Sequence, residues 1–185
     1  MAKVKEATLE DLMKEPGKAE LIGGEIIRMP ATGFLPGFAA TRIWRSLDDY
    51  ATAQRKGYAI GDNVGFAVDL PNRESFSPDA AYYVGPHSGM KFLEGAPIFA
   101  VEVRSDGDYG KKAEKELAEK RADYFAAGTL VVWDVDMLGV DVVKVYRASD
   151  PENPTIYRRG DFAEAEPAVP GWKMAVEDLF PYSAT

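Results

Sequence analysis

The chain has 185 residues, no cysteine, and 30 acidic against 22 basic residues for a net charge of −8; the length fits one domain with a full core, and the missing cysteines exclude disulfides and thiolate metal sites. The acidic balance argues against a protein that coats nucleic acid through a basic surface, though not against a nuclease, because carboxylates that hold divalent cations add negative charge and the metal reverses it locally. No apolar run approaches the ~20 residues of a membrane span, and the start MAKVKEATLEDL lacks the apolar core of a secretory signal, so a cytoplasmic protein without a membrane partner is expected.

TLEDLMKE (8–15) predicts a short helix with Thr8 as N-cap and Asp11 three residues on, a variant of the capping box. AELIGGEIIRM (19–29) predicts a hairpin turning at Gly23-Gly24. From Gly37 to Gln54, Ile43, Leu47, Tyr50 and Ala51 recur at helical spacing, which predicts an amphipathic helix ending before Gly57. At Tyr58 the period becomes strand-like: NVGFAVDL and SPDAAYYVG read as strands separated by the turn-rich PNRESF. APIFAVEV (96–103) is almost continuously apolar, as in a strand buried on both faces, and then breaks into the acidic stretch SDGDYG. A helix follows from Lys111 to Ala127 with Gly128 at its C-cap, then the strands TLVVWDVD and GVDVVKVYRA joined around Met137-Leu138-Gly139. The remainder, with prolines at 151, 154, 167 and 170, is expected to wrap the surface while WKMAVEDLF returns to the core. With no repeat and no linker, the expectation is one α/β domain over residues 1–185.

Two carboxylates stand at strand ends. Asp79 follows Pro78 near the start of one strand and Glu102 lies near the end of the next; if the strands are neighbours, the acids meet at one edge of the sheet and repel unless a cation or proton intervenes. Oxygen ligands of this kind suit Mg2+ or Mn2+, and the Val103 carbonyl would add another. On the following helix, Leu117, Lys120, Arg121 and Tyr124 fall on one stripe, which turns Lys120 inward. An inward lysine needs a carboxylate, or a charge that develops during a reaction. Spacing alone leaves plainer readings open: strand-end acids also serve as caps and surface ion pairs, and Lys120 could run its stem over the core edge with its ammonium in water.

Other chemistries find no support. There is no GxxxxGK[ST] loop and no HExxH motif. With one histidine, His87 in the loop GPHSG, no zinc site is expected. Ser105 has no histidine base nearby in sequence, and Phe92, Phe99, Tyr124, Phe125 and Trp133 read as core.

ELIGGEII, SPDAAYYV, FAVEVRS, KRADYFAAGTLVVWDVD and PGWKMAVEDLF, in this order, resemble the Uma-two (Uma2) family of putative restriction endonucleases, within the restriction-endonuclease-like PD-(D/E)XK superfamily. The resemblance runs from about Thr8 to Phe180 and implies an α/β fold: a central mixed β-sheet flanked by helices, with a nuclease-type site at one edge. It implies that Asp79 is the PD aspartate and Glu102 the acid of the second motif, catalytic together with Lys120. The lysine of that motif would fall at Arg104, and arginine cannot act as a base. Its place is taken by the pattern Lys120, Tyr124, Gly128, and Glu20 matches a glutamate of the N-terminal hairpin. The implied cofactor is Mg2+ or Mn2+ on Asp79, Glu102 and Val103, the implied substrate DNA, and the implied assembly a homodimer. Pro36 departs from the family, since many relatives carry a histidine there. The competing expectation is a protein of this fold that has lost the reaction and serves as a binding or regulatory module.

Overall fold

Thr8 and Asp11 close a reciprocal capping box at the start of α1 (Leu9–Leu12): the Asp11 N–H donates to Thr8 Oγ1 at 3.2 Å and the Thr8 N–H to Asp11 Oδ2 at 3.0 Å. The computed structural model describes residues 6–182; residues 1–5, which begin the segment read above for a secretory signal, and 183–185 lie outside it. β1 (Ala19–Ile22) and β2 (Glu25–Arg28) pair antiparallel across Gly23 and Gly24, whose φ values of 57° and 77° are those that side chains disfavour. α2 (Phe34–Gln54) starts three residues ahead of the predicted Gly37 and buries Ile43, Leu47 and Ala51 of the expected stripe, with Tyr50 half-buried.

The strands that follow are β3 (Tyr58–Ile60), β4 (Phe66–Leu70), β5 (Arg73–Phe76), β6 (Ala80–Tyr83), β7 (Leu93–Glu94) and β8 (Phe99–Val103). After α3 (Lys111–Ala126) come β9 (Val131–Val135), β10 (Val143–Arg147), β11 (Asp150–Tyr157), β12 (Phe162–Glu164) and β13 (Lys173–Ala175). Six of them form the central sheet in the order β11-β10-β9-β8-β6-β3. Only β8 and β9 run parallel within it, so the sheet is mixed, as expected. A parallel pair needs a crossover, and α3 is that crossover. β5, β4 and β7 make a smaller sheet beside it.

Side-chain alternation along β8 divides the core between the two helices. Phe99, Val101 and Val103 pack with Trp133 and Val135 under α2, whereas Ala100 and Val132 join Phe66, Phe76 and Tyr124 under α3. Glu102 therefore emerges on the α3 side. No helix among the described residues is long and apolar enough to cross a membrane.

Two expectations change. PNRESF is not all turn, because β5 begins at Arg73 and pairs with β4. Its composition misleads because Arg73 and Ser75 are polar yet buried: Glu20 accepts from Arg73, and the Leu21 N–H donates to Ser75 Oγ at 2.8 Å. Pro151 and Pro154 do not wrap the surface as coil but lie in β11, the edge strand, where a missing N–H costs no ladder bond. WKMAVEDLF does return to the core through Trp172, Met174, Val176 and Leu179.

Candidate active site

β6 and β8 pair with Ala80 opposite Val101, which brings Asp79 beside the end of β8. The Asp79 N–H donates to the Val101 carbonyl at 3.0 Å, and the Val103 N–H donates to Asp79 Oδ2 at 2.7 Å. Val103 thus meets Asp79 through its amide. Glu102, one residue back, points to α3: Tyr124 donates its hydroxyl to Oε1 at 2.7 Å and Lys120 its ammonium to Oε2 at 2.9 Å.

Lys120 also pairs with Glu20 Oε1 at 2.9 Å. Glu20, from β1, is 1% exposed; it further accepts Arg73 Nη1 at 2.6 Å and the Ser77 N–H at 2.8 Å. Arg73 continues to α3, donating Nε to Asp123 Oδ2 at 2.9 Å. Lys120 thereby ties the hairpin and the central sheet to α3, and Glu20 brings in the small sheet through Arg73. The predicted stripe on α3 is real: Leu117, Lys120, Arg121 and Tyr124 close over Glu102 and Asp134.

Burial alone would push the Lys120 ammonium down, but the Glu102 and Glu20 carboxylates overcome it and hold it well above the usual lysine value. Burial likewise pushes Glu20 up, yet Lys120 and Arg73 bring it below the usual glutamate value. Glu102 goes the other way: burial raises it, Lys120 only partly compensates, and Asp79 and Glu20 add repulsion. Tyr124, raised by burial and then by Glu102, stays a phenol and a donor. One ammonium therefore serves an ionised partner, Glu20, and a second acid with a stronger hold on its proton.

Sequence reasoning missed Lys18. Its ammonium sits 2.5 Å from Asp79 Oδ1 and 2.7 Å from Asp62 Oδ1. Burial lowers its pKa, but Asp79 and Glu102 raise it above the ordinary value. The available signal was its spacing, since Lys18 and Glu20 are two residues apart at the entry to β1 and strand alternation puts them on one side.

Arg104 stands outside this group. Its Nε and Nη2 form a fork on Asp134 at 2.7 and 2.8 Å, and it also pairs with Glu114. Asp134 faces Glu102 in the β8–β9 register, which draws the guanidinium along the sheet. A lysine cannot make this two-pronged bond. Arg104→Lys is expected to cost about 1–3 kcal/mol of stability, read as a lower urea midpoint with an unchanged slope. In the acidic loop, Asp108 accepts the Ser105 N–H at 2.7 Å and Tyr109 donates to Asp136 at 2.9 Å, so these acids organise turns. His87 is exposed, and Pro36 sits in the first turn of α2.

Among the described residues, no three His, Asp or Glu side chains converge as a metal cluster. The donor set of Asp79 and Glu102, two carboxylates with neither sulfur nor imidazole, nonetheless fits Mg2+ or Mn2+, hard ions commonly held by one or two carboxylates with water and phosphate oxygens. The ammonium of Lys18, lodged on Asp79 within the field of Glu102, shows that the place accepts positive charge.

The fold is similar to that of a putative nuclease belonging to DUF820 from Anabaena variabilis, with a TM-score of 0.72, 18% sequence identity, and coverage of 94% of this chain and 97% of that one. No curated protein matches the chain. The model of the Uma2 family, described as "Putative restriction endonuclease", matches residues 7–177, and the chain belongs to that family.

Proposed function

We propose that this protein is a Mg2+- or Mn2+-dependent endonuclease that hydrolyses phosphodiester bonds in DNA, acting as a one-domain cytoplasmic enzyme and, to cut two strands, as a homodimer. The observation that carries the reading is the half-buried Lys120 ammonium, held 2.9 Å from both Glu20 and Glu102 and one strand away from Asp79. A divalent ion held by Asp79 and Glu102, with Val103 alongside, would polarise the phosphate and acidify a bound water. Lys120 keeps its proton at neutral pH, so its role is electrostatic: it stabilises charge gathering on the scissile phosphate and does not abstract a proton. Tyr124 and Glu20 fix the orientation of Glu102 and Lys120. Arg104, bound to Asp134, supports the sheet beneath them.

The test is cleavage of DNA with added Mn2+ by wild type and Lys120→Met, alongside a calorimetric Mn2+ titration. Lys120→Met is expected to lower the cleavage rate about 100-fold or more while retaining Mn2+ binding. Equal rates would remove Lys120 from the chemistry. The second reading, a dormant binding or regulatory module, is favoured by Lys18, whose ammonium already neutralises Asp79; a folded wild type with neither Mn2+ heat nor cleavage would establish it.

A further inference from the structure

Beside Asp79 opens a cleft of about 390 Å³ between α2 and the residues after β3. Gly37, Thr41 and Trp44 lie at i, i+4 and i+7 and turn one stripe of α2 toward it, while Ala39, Ile43 and Leu47 face the core. Thr32, Pro36, Ala40, Gly61, Asp62 and Asp79 complete the wall. Trp44 is 36% exposed, against 0% for Trp133 and 4% for Trp172. Its indole is fixed on one side: Nε1 donates to the Ala59 carbonyl at 3.3 Å, and Gly61 lies so near that a Cβ there would stand 3.5 Å from the ring. A part-exposed aromatic ring held rigidly in a cleft is a stacking platform.

The rest of the wall says what would stack on it. It carries two acids, which Lys18 already serves, and neither lysine nor arginine, so it does not suit the phosphates of a duplex backbone. It offers hydroxyls instead. Thr41 donates its own proton to the Gly37 carbonyl at 2.8 Å, which leaves its oxygen free to accept from an N–H. Thr32 shares a 3.0 Å hydrogen bond with Ser105, and its oxygen too has a lone pair left. An aromatic face with polar acceptors at its rim matches a nucleobase, and a base reaches such a cleft only when it is unpaired.

We propose that the cleft holds one unpaired nucleobase of the substrate strand, stacked on Trp44, so that the enzyme acts on single-stranded or locally opened nucleic acid. The proposal rests on the nuclease reading of Asp79, which would hold the divalent ion against the phosphate next to the stacked base. It also accounts for a nuclease with a net charge of −8, since stacking supplies affinity that a basic groove would otherwise give.

The experiment measures the anisotropy of a labelled oligothymidine of about 12 nucleotides, and of its duplex with oligodeoxyadenosine, against metal-free protein. Wild type is expected to bind the single strand at least about tenfold more tightly than the duplex. Trp44→Ala should lose about tenfold, Trp44→Phe should keep most of the affinity, and Thr41→Phe, which fills the cleft and spares the indole, should weaken binding as Trp44→Ala does. Equal affinity for both forms, no binding of either, or an unaffected Trp44→Ala that melts like wild type overturns the proposal. No cleavage enters this assay. Single-strand binding that depends on Trp44, without cleavage once Mn2+ is added, would uphold the base site and reject the nuclease reading. Mn2+-dependent cleavage of duplex at an unchanged rate by Trp44→Ala would do the reverse.

Discussion

Asp79→Asn is expected to lower Mn2+-dependent DNA cleavage at least about 100-fold while moving the urea midpoint little. The asparagine is isosteric, and its carbonyl can still accept the Val103 N–H that the carboxylate takes at 2.7 Å. The charge is what disappears, and a hard divalent cation of this kind is held through one or two anionic carboxylates. Lys18 loses one partner but keeps Asp62 at 2.7 Å, and part-exposed pairs of this kind contribute about 1 kcal/mol or less. Cleavage that persists at the wild-type rate in purified Asp79→Asn would locate the chemistry elsewhere or reveal a contaminating nuclease. Loss of cleavage with a collapsed urea transition would instead make Asp79 a structural residue.

Glu20→Ala is expected to cost about 3–5 kcal/mol, the range for removing one partner of a buried pair. The side chain is 1% exposed and accepts from Arg73, Lys120 and the Ser77 N–H. Alanine leaves a guanidinium, an ammonium and an amide short of an acceptor in a site with little water. Glu20→Gln should cost less, because the amide oxygen still accepts. The pH dependence carries a definite sign. Lys120 and Arg73 outweigh burial and hold Glu20 below its unfolded value. Its stabilisation is therefore complete above the unfolded pKa and is lost as pH falls through the depressed folded one. The gap between wild type and Glu20→Gln should narrow on acidification through that window. A cost under about 1 kcal/mol at neutral pH would mean that water reaches the pair.

What was legible in the sequence depended on how far each residue's partner lies. The capping box at Thr8, the Gly23-Gly24 turn and the α3 stripe are local patterns, and each appears as expected. The neighbouring positions of Asp79 and Glu102 followed from two adjacent strand patterns. Arg73 and Ser75 were hidden because their partners stand 53 and 54 residues away, so that a buried strand looked like polar loop. Alternation placed Arg104 on the face of Glu102, but the pull of Asp134 depends on β9 lying alongside, which only the three-dimensional pairing reveals. Pro151 and Pro154 read as coil because composition does not say which strand is outermost. Lys18 stands one residue ahead of β1, where its alternation with Glu20 was the only mark, and Asp62 lies outside the strands, where no periodicity marks a site.

On the proposed metal site, Lys18 would make the acid pair an ion exchanger. Two carboxylates on adjoining strands repel each other, and the tethered ammonium offsets that repulsion in the folded chain, so native structure would not wait on metal loading. Uptake of a divalent ion would then be a swap of one charge for two. Asp62, the more exposed partner, would remain as a mooring for the released ammonium. A monovalent ion gains nothing from such a swap, whereas a divalent ion gains a full unit of charge against the same oxygens. The side chain that would weaken metal binding in absolute terms would thereby sharpen the choice between ions.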